Sequence, residues 1–349
     1  MMKSLFTFTL TTALVAGLHA QASAAERVSA SAWAKSWVQS LNDKSNIQAF
    51  STSSLEKKVL GTCEDCENKN AMKKARQLFA QGDYDAAIKT YNEIPRGNTY
   101  WLSAVEEKGW AYFRQNQFEK ALAQTKSLLA PQFAEISNSE AYLLQSLTQL
   151  KICDYKGVFE THQIFKEKQK KRILEVQNLA KTGWNDDLAN VMRKMDKFPL
   201  TLDEMGDSVQ RLPLLLYKDI EFQKQALRFK TSQHAMALLG GKYPRLQKAL
   251  DKINQDSFIG MKDRVQELAQ EETNENFKII QKLNLVEVEA IQRVHTDMNL
   301  SDSMYAESKF QKVGDDKLVF MDDGRPWIDE LDKFEVSAKT CAQGIRRKM

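Results

Sequence analysis

Cysteine and histidine side chains are the residues of this sequence that could support redox or metal-binding chemistry. The cysteines are Cys63, Cys66, Cys153 and Cys341. A reactive thiol needs a lowered pKa, which positive neighbours or a helix N-terminus provide. Glu64 and Asp65 separate the first two cysteines and work against a thiolate. The spacing therefore favours a structural disulfide at Cys63 and Cys66 over a redox pair.

The pairing of these cysteines is open in principle, because four cysteines allow three connectivities. Cys63 and Cys66 are near neighbours, which favours the pairs Cys63–Cys66 and Cys153–Cys341. The second bridge would join the middle of the chain to its C-terminus and stabilise the fold by about 4–5 kcal/mol in the chain-entropy model. Disulfides persist in oxidising compartments, so this prediction depends on export.

Motifs for metal binding and catalysis do not occur in the sequence. His162, His234 and His295 stand at no ligand spacing, and a zinc site needs four ligands. There is no GxSxG, HExxH or Gly-rich phosphate loop, and Gly240-Gly241-Lys242 is typical of a helix break. Asp322-Asp323-Gly324 lacks EF-hand spacing. We therefore expect no catalytic residue, no metal and no cofactor.

The N-terminus has the pattern of a signal peptide over residues 1–24. Lys3 is followed by an apolar run from Leu5 to Leu18 and by the small residues Ala22-Ser23-Ala24. The run is shorter than the roughly 20 apolar residues of a membrane-spanning helix, and no later stretch qualifies. The sequence predicts an exported, periplasmic protein with no transmembrane segment. It leaves association with the outer membrane or another membrane surface open.

Composition and charge indicate a helical protein that does not bind nucleic acid. Only six Pro and 14 Gly occur in 349 residues, which favours helix. The net charge of +4 is too small for nucleic-acid binding by bulk charge. The basic run KEKQKKR at 166–172 is interpreted as a solvated helix face in preference to a site for an anionic partner.

Two stretches repeat at a fixed interval. LFAQGDYDAAI at 78–88 returns 34 residues later as YFRQNQFEKAL at 112–122. A third, LKICDYKGVF, aligns with an offset of 37 residues. An interval in this range indicates stacked units, and 34 is the tetratricopeptide period. Small residues are predicted to let helices approach closely, and large ones to fill the gaps between units. The small residues are Ala75, Ala87, Gly109 and Ala121; the large ones are Leu78, Tyr84, Tyr91, Ile94, Tyr112, Phe118, Leu122 and Leu128.

GDYDAAI and NQFEKAL resemble the tetratricopeptide repeat (TPR) family, over about a third of the chain. GWAYFRQNQFEKAL, LKICDYKGVF and the tail PWIDELDKFEVSAKTC are also similar to TPR proteins of delta-proteobacterial cell envelopes, some of them in gliding-motility machinery. The resemblance implies helix pairs whose first helices line a concave surface that binds other proteins. Carried over to this chain, the groove residues are Met72, Arg76, Phe79, Glu106, Trp110, Phe113, Arg114, Leu143, Leu147 and Lys151.

The predicted fold is an all-α, TPR-like solenoid continued by long antiparallel helices, with a small C-terminal β-hairpin. A helical spacing of apolar residues persists beyond the repeats, whereas Leu318-Val319-Phe320 and Phe334-Glu335-Val336 are typical of strands. The predicted divisions are 1–24 signal peptide, 25–67 leader, 68–165 three repeats, 166–310 helical domain and 311–349 hairpin and tail.

The sequence favours a scaffold that binds a peptide or helix of another envelope protein without turnover. One alternative is an enzyme, or an enzyme-recruiting factor, that acts on the cell wall. Another is a periplasmic assembly chaperone.

Overall fold

The computed structural model describes residues 27–41, 50–60, 66–133 and 136–296, which form an all-α protein. The two short strands β1 (Val28–Ser29) and β2 (Lys197–Phe198) pair antiparallel. The helices are α1 (Ala30–Ser40), α2 (Ser53–Leu60), α3 (Cys66–Gln81), α4 (Tyr84–Tyr91), α5 (Trp101–Arg114), α6 (Phe118–Leu128), α7 (Ser139–Lys151), α8 (Tyr155–Thr182), α9 (Asp186–Lys194), α10 (Leu202–Met205), α11 (Ile220–Leu239) and α12 (Pro244–Thr296). Residues Gly206–Arg211 and Leu216–Lys218 form 3-10 turns.

Helices α3 to α8 form three successive hairpins, and each helix packs on the next one in the chain. The predicted helix pairs of the first two repeats are confirmed at α3–α4 and α5–α6. The third pair, α7–α8, differs in that α8 runs for 28 residues and crosses the predicted boundary at residue 165. The stack and the helices after it are therefore joined by one continuous helix.

The same turn closes the first helix of all three hairpins. Gly82, Asn116 and Cys153 have positive φ angles of 82°, 60° and 63°. In each turn the next amide donates to the carbonyl five residues earlier, as Asp83 does to Leu78 at 3.0 Å. This is the six-to-one hydrogen bond of a Schellman motif. Asn116 takes the position that Gly82 has in the aligned repeat, and Cys153 holds that position in the third hairpin.

The small residues lie where the helices approach most closely. Ala75, Ala87 and Ala121 are fully buried. A Cβ added to Gly109 would lie 2.8 Å from Leu144 Cδ2 and 3.3 Å from Gln124 Cβ, so both α6 and α7 press against this point of α5. The stacking of the second hairpin on its neighbours therefore requires a residue without a side chain at this position.

The C-terminal half is built around α12, which is 53 residues long. It packs along α8 and α11, and also crosses α7 of the third hairpin. Leu227, Met261 and Val265 are fully buried in its core. The predicted break at Gly240-Gly241 is confirmed, since α11 ends at Leu239 and α12 begins at Pro244.

The leader packs on this C-terminal half. Helix α1 lies against α11, and the amide of Ala30 donates to the carbonyl of Asp196 at 2.8 Å. Arg228 of α11 binds Glu56 of α2 through two hydrogen bonds of 2.7 and 3.0 Å. Trp33 and Trp37 lie on α1, and Trp37 is buried.

Several sequence predictions lie outside the described residues. They are the signal peptide, the C-terminal hairpin and tail, and both disulfides, which depend on Cys63 and Cys341. Among the helices of the described ranges, none combines the length and the apolar composition that crossing a membrane requires.

Candidate functional site

The strongest candidate site is a cavity of about 310 Å³ between the repeats and the C-terminal half, which we call the central cavity. One wall is the side of the repeats formed by α3, α5 and the start of α7, here called the first-helix face. The other wall is formed by residues 213–218 and by α12 at residues 268–275. Its polar lining includes Arg76, Glu106, Glu107, Lys218, Glu271, Glu272 and Glu275.

An ion pair between the first two hairpins forms part of the first-helix face. Arg76 Nε lies 3.0 Å from both carboxylate oxygens of Glu107, and its Nη2 lies 2.7 Å from Oε1. The hydroxyl of Tyr91 donates to Glu107 Oε2 at 2.8 Å. Burial and the charge of Glu107 raise the pKa of Tyr91, so its hydroxyl keeps its proton. These contacts fix the Arg76 guanidinium at the cavity.

Glu106 is the chemically unusual member of the site. Burial, and then the nearby carboxyl groups of Glu140, Glu107 and Glu275, raise the pKa of Glu106 to about 8. Both causes disfavour the charged form. Near neutral pH this side chain is therefore mostly protonated and can donate a hydrogen bond into the cavity.

Buried polar contacts hold the opposite wall in place. Arg172 of α8 binds Glu272 of α12 and donates to the carbonyls of Val209 and Leu212, each at 3.1 Å. Glu272 also accepts from the amide of Leu214 at 2.9 Å. Arg172 thus ties α12 to the irregular segment that faces the repeats.

Lys218 closes one end of this wall. Its Nζ donates to the carbonyl of Thr99 at 2.6 Å, between the first and second hairpins. The ring centroids of Tyr100 and Tyr217 lie 5.6 and 5.2 Å from the same Nζ. Burial lowers the pKa of Lys218. The contact joins the C-terminal half directly to the repeats.

An aromatic surface continues along α5. Trp110 follows Glu106 by one helical turn and meets Phe113 edge to face, with 5.7 Å between ring centroids. Phe113 in turn contacts Phe118 of α6 at 5.5 Å. Both Trp110 and Phe113 are half-buried, and Arg114 beside them is exposed. Trp, Phe and Arg are residue types that anchor protein interfaces.

The structure separates the ten predicted groove residues into four groups. Arg76 and Glu106 line the central cavity, and Trp110, Phe113 and Arg114 lie further along α5. Phe79 is half-buried against Tyr84, and Lys151 is exposed at the end of α7. The other three residues contribute to packing: Met72 and Leu143 are each 2% exposed, and Leu147 is half-buried against the core that α7 and α8 share with α12.

Met72 and Leu143 are therefore corrected from groove residues to core residues. Met72 packs between the first two hairpins. Leu143 packs in the cluster that contains Leu283 and Val286 of α12, because α12 covers the first helix of the third hairpin. The sequence showed no period beyond residue 160, so it could not indicate that α12 covers this part of the face.

The basic run at 166–172 does not form a uniform charged face. Lys166, Lys168 and Lys170 are exposed, whereas Gln169 and Arg172 are buried. A shallow groove of about 790 Å³ beside it contains His162, whose Nδ1 lies 3.3 Å from Glu287 Oε2. Burial lowers the pKa of His162 despite that carboxylate. The expected solvated face therefore applies to the lysines and Glu167, and not to Gln169 and Arg172.

A serine, an aspartate and a histidine also meet near the N-terminus. Asp196 accepts from the hydroxyls of Ser29 and Ser31 at 2.6 and 2.9 Å, and His234 Nε2 lies 3.3 Å from its other oxygen. In a catalytic triad the histidine contacts the serine. Here the aspartate lies between them, and Ser29 caps α1 by accepting from the amide of Ala32. The cluster is an anchor for α1.

No group of three or more His, Cys, Asp or Glu side chains in the described ranges has an arrangement that could hold a metal ion. No family model matches this chain, and neither a curated protein nor a solved structure matches it.

Proposed function

We propose that this protein is a TPR-type adaptor that binds a segment of another protein on its first-helix face. The observation that carries the proposal is the central cavity, which opens on that face beside Arg76 and Glu106. The three equivalent turns and the close contact at Gly109 support the TPR-type repeat. Together they describe a rigid stack with a recess in its binding surface.

The dimensions of the site limit what it can accept. Ligand pockets occupy roughly 300–1,000 Å³, and a cavity of about 310 Å³ holds one or two side chains. The third hairpin is covered by α12, so the partner is confined to the first two hairpins. We expect the partner to insert a side chain between Arg76 and Glu106 and to lie along Trp110, Phe113 and Arg114.

The chemistry of the recess favours a polar side chain of the partner. Protonated Glu106 donates a hydrogen bond, and Arg76 has donors held in place by Glu107. Trp110 and Phe113 offer apolar contact next to these groups. The mechanism is binding alone, by which the adaptor brings envelope proteins together.

We place this adaptor in the periplasm as a component of a cell-envelope complex. The support is the pattern of residues 1–24 and the resemblance to envelope TPR proteins, some of which serve gliding motility. N-terminal sequencing of the protein isolated from its native envelope should begin at or near Ala25. An intact Met1 would contradict export by this route.

Partner capture by matched variants tests the binding face. Arg114→Glu combined with Trp110→Ala should abolish co-purification of a partner from envelope extracts, because both side chains lie on the proposed surface. Lys89→Glu is the control, since Lys89 is exposed on α4, the second helix of its hairpin. Melting temperatures of both variants show that the fold is retained. Equal capture by the two variants would refute the assignment of this face.

A further inference from the structure

The second helices of the first two hairpins, α4 and α6, differ in how much of their outer side is exposed. Lys89 and Glu93, on and just after α4, are exposed. Their counterparts 34 residues later, Ala123 and Ser127 of α6, are 2% and 0% exposed. We call Ala123 and Ser127, which are one helical turn apart, the α6 outer face. Equivalent positions of two successive repeats therefore have opposite environments.

The packing of the described helices does not explain this difference. Within the described ranges, α5 and α7 are the helices that pack along α6. Helix α4 has the same arrangement, since α3 and α5 pack along it, and its outer side stays exposed. At the start of α6 the two repeats still agree, because Glu119 and its counterpart Asp85 are both exposed. A covering segment from another part of the sequence would explain the burial that begins at Ala123.

The α6 outer face is suited to such a segment. Ala123 and Ser127 have small side chains, so a covering segment can approach the helix closely. The hydroxyl of Ser127 donates to the carbonyl of Ala123 at 3.2 Å, which satisfies this donor within the helix. Lys120 lies one turn earlier on the same side and is exposed, and Lys126 is half-buried beside Ser127. The surface is therefore small and uncharged at its centre, with lysines at both ends.

The C-terminal segment starts close to this surface and is predicted to return to it. Helix α12 ends at Thr296, and its residue Ala290 packs in one core cluster with Tyr155 of α8. Cys153 packs against the same cluster and is the predicted disulfide partner of Cys341. Helix α6 packs on α7 of this hairpin, and packed helices lie about 8–10 Å apart. The predicted bridge thus places both ends of the segment one helix away from α6.

The composition of the C-terminal segment complements the α6 outer face. Residues 322–335 contain six acidic and two basic side chains. Carboxylates in this stretch match the lysines at positions 120 and 126, and complementary charges fix the register of a contact. The same stretch contains the large apolar residues Trp327 and Leu331, which can fill the space that small residues leave on α6.

We propose that residues 322–335 dock on the α6 outer face of the same chain. The other parts of the sequence outside the described ranges fit this role less well. Residues 42–49 and 61–65 are short connections, and residues 1–24 are predicted to be removed on export. The first-helix face belongs to α3, α5 and α7, so this contact does not use the central cavity. Docking and the proposed partner binding are therefore separate properties of the protein.

Intramolecular photo-crosslinking of the purified, oxidised protein tests the contact. A photoreactive amino acid at position 126 lies beside the α6 outer face. Position 92 is the matched control, because Asn92 is exposed and stands 34 residues earlier, just after α4. Mass spectrometry of digested monomer should show position 126 joined to a peptide from residues 297–349, and position 92 without this product. A product that joins position 126 to any other part of the chain, or no product at all, would overturn the proposal.

A charge placed in the contact tests its chemistry. Ala123→Glu should repel the acidic segment and increase the rate of tryptic cleavage after Lys333 severalfold. Lys89→Glu, at the equivalent position of α4, should be cleaved at the wild-type rate. Circular dichroism shows whether both variants keep their helix content. Wild-type cleavage of a folded Ala123→Glu variant would contradict docking on α6, and if this variant does not fold, the crosslink from position 126 decides the question.

Discussion

Leu144 of α7 lies so close to Gly109 of α5 that a Cβ on the glycine would sit 2.8 Å from its Cδ2 atom. The contact joins the first helices of the second and third hairpins directly. It explains why a glycine stands in the middle of a helix, where it costs about 1 kcal/mol relative to alanine. This close approach holds α5 against α7 next to the central cavity.

Gly109→Leu should destabilise the protein by overpacking this contact. We expect a loss of about 1–3 kcal/mol in the free energy of unfolding, measured by urea denaturation. Arg114→Leu is the control on the same helix, where the side chain is exposed, and should change stability by less than about 0.5 kcal/mol. Similar stability of the two variants would mean that α5 and α7 are not in close contact.

The turn at Asn116 predicts that two substitutions there differ in their effect on stability. Its φ of 60° suits glycine and asparagine but not a β-branched residue. Asn116→Gly should leave the unfolding free energy nearly unchanged, whereas Asn116→Val should lower it by about 1–2 kcal/mol. Thermal denaturation of both variants provides the comparison. A valine variant as stable as the glycine variant would be inconsistent with a left-handed backbone at this position.

The repeats could be predicted from the sequence because their constraints are local. Gly82 and Asn116 identify turns by their backbone preference, and the alanines identify close contacts by their size. The alignment of LKICDYKGVF with the earlier repeats located the third turn, although Cys153 is not a residue that normally favours positive φ. Local chemistry thus determined the hairpins without any knowledge of what packs against them.

The opposite wall of the cavity could not be predicted in this way. Leu214, Lys218 and Glu272 come from segments with no repeat, and they meet the first-helix face only through long-range packing. The same limit explains Met72 and Leu143, which take groove positions of the repeat but are buried by neighbouring helices in this chain. A sequence pattern gives the direction of a side chain along its helix, but it does not show which other element covers it.

The raised pKa of Glu106 predicts a pH dependence of stability. Its pKa is about 8 in the fold, compared with 4.5 for the ordinary side chain. Between these values the unfolded chain is ionised while the folded protein holds the proton. The contribution of Glu106 to the unfolding free energy therefore falls as the pH rises from 4.5 to about 8. Below pH 4.5 both states are protonated and the effect vanishes.

Glu106→Gln should remove this dependence, since the amide stays neutral at every pH. Urea denaturation should show the variant gaining stability over wild type as pH rises toward 8, with the difference disappearing in acid. Glu93→Gln, at an exposed position after α4, should follow the wild-type profile. Parallel profiles for Glu106→Gln and wild type would exclude a buried, protonated carboxyl group at this site.

The ion pair behind the cavity predicts a large loss of stability. Arg172→Met removes the cationic partner of Glu272, which keeps the amide of Leu214, and it also removes two hydrogen bonds to backbone carbonyls. Loss of one partner of a buried pair costs about 3–5 kcal/mol. Arg193→Met, at an exposed position of α9, is the control for loss of an arginine. If urea denaturation shows a similarly small loss of unfolding free energy in both variants, the ion pair between α8 and α12 does not stabilise the wall of the cavity.

Site-specific photo-crosslinking in the native envelope tests the binding face most directly. A photoreactive amino acid at position 114 lies beside Trp110 on the proposed surface, and the same amino acid at position 89 lies on α4. We predict that position 114 yields a discrete crosslinked protein, that Trp110→Ala removes this product, and that position 89 yields none. The same product from both positions, or no product from position 114 in cells that contain the intact envelope, would contradict binding on the first-helix face.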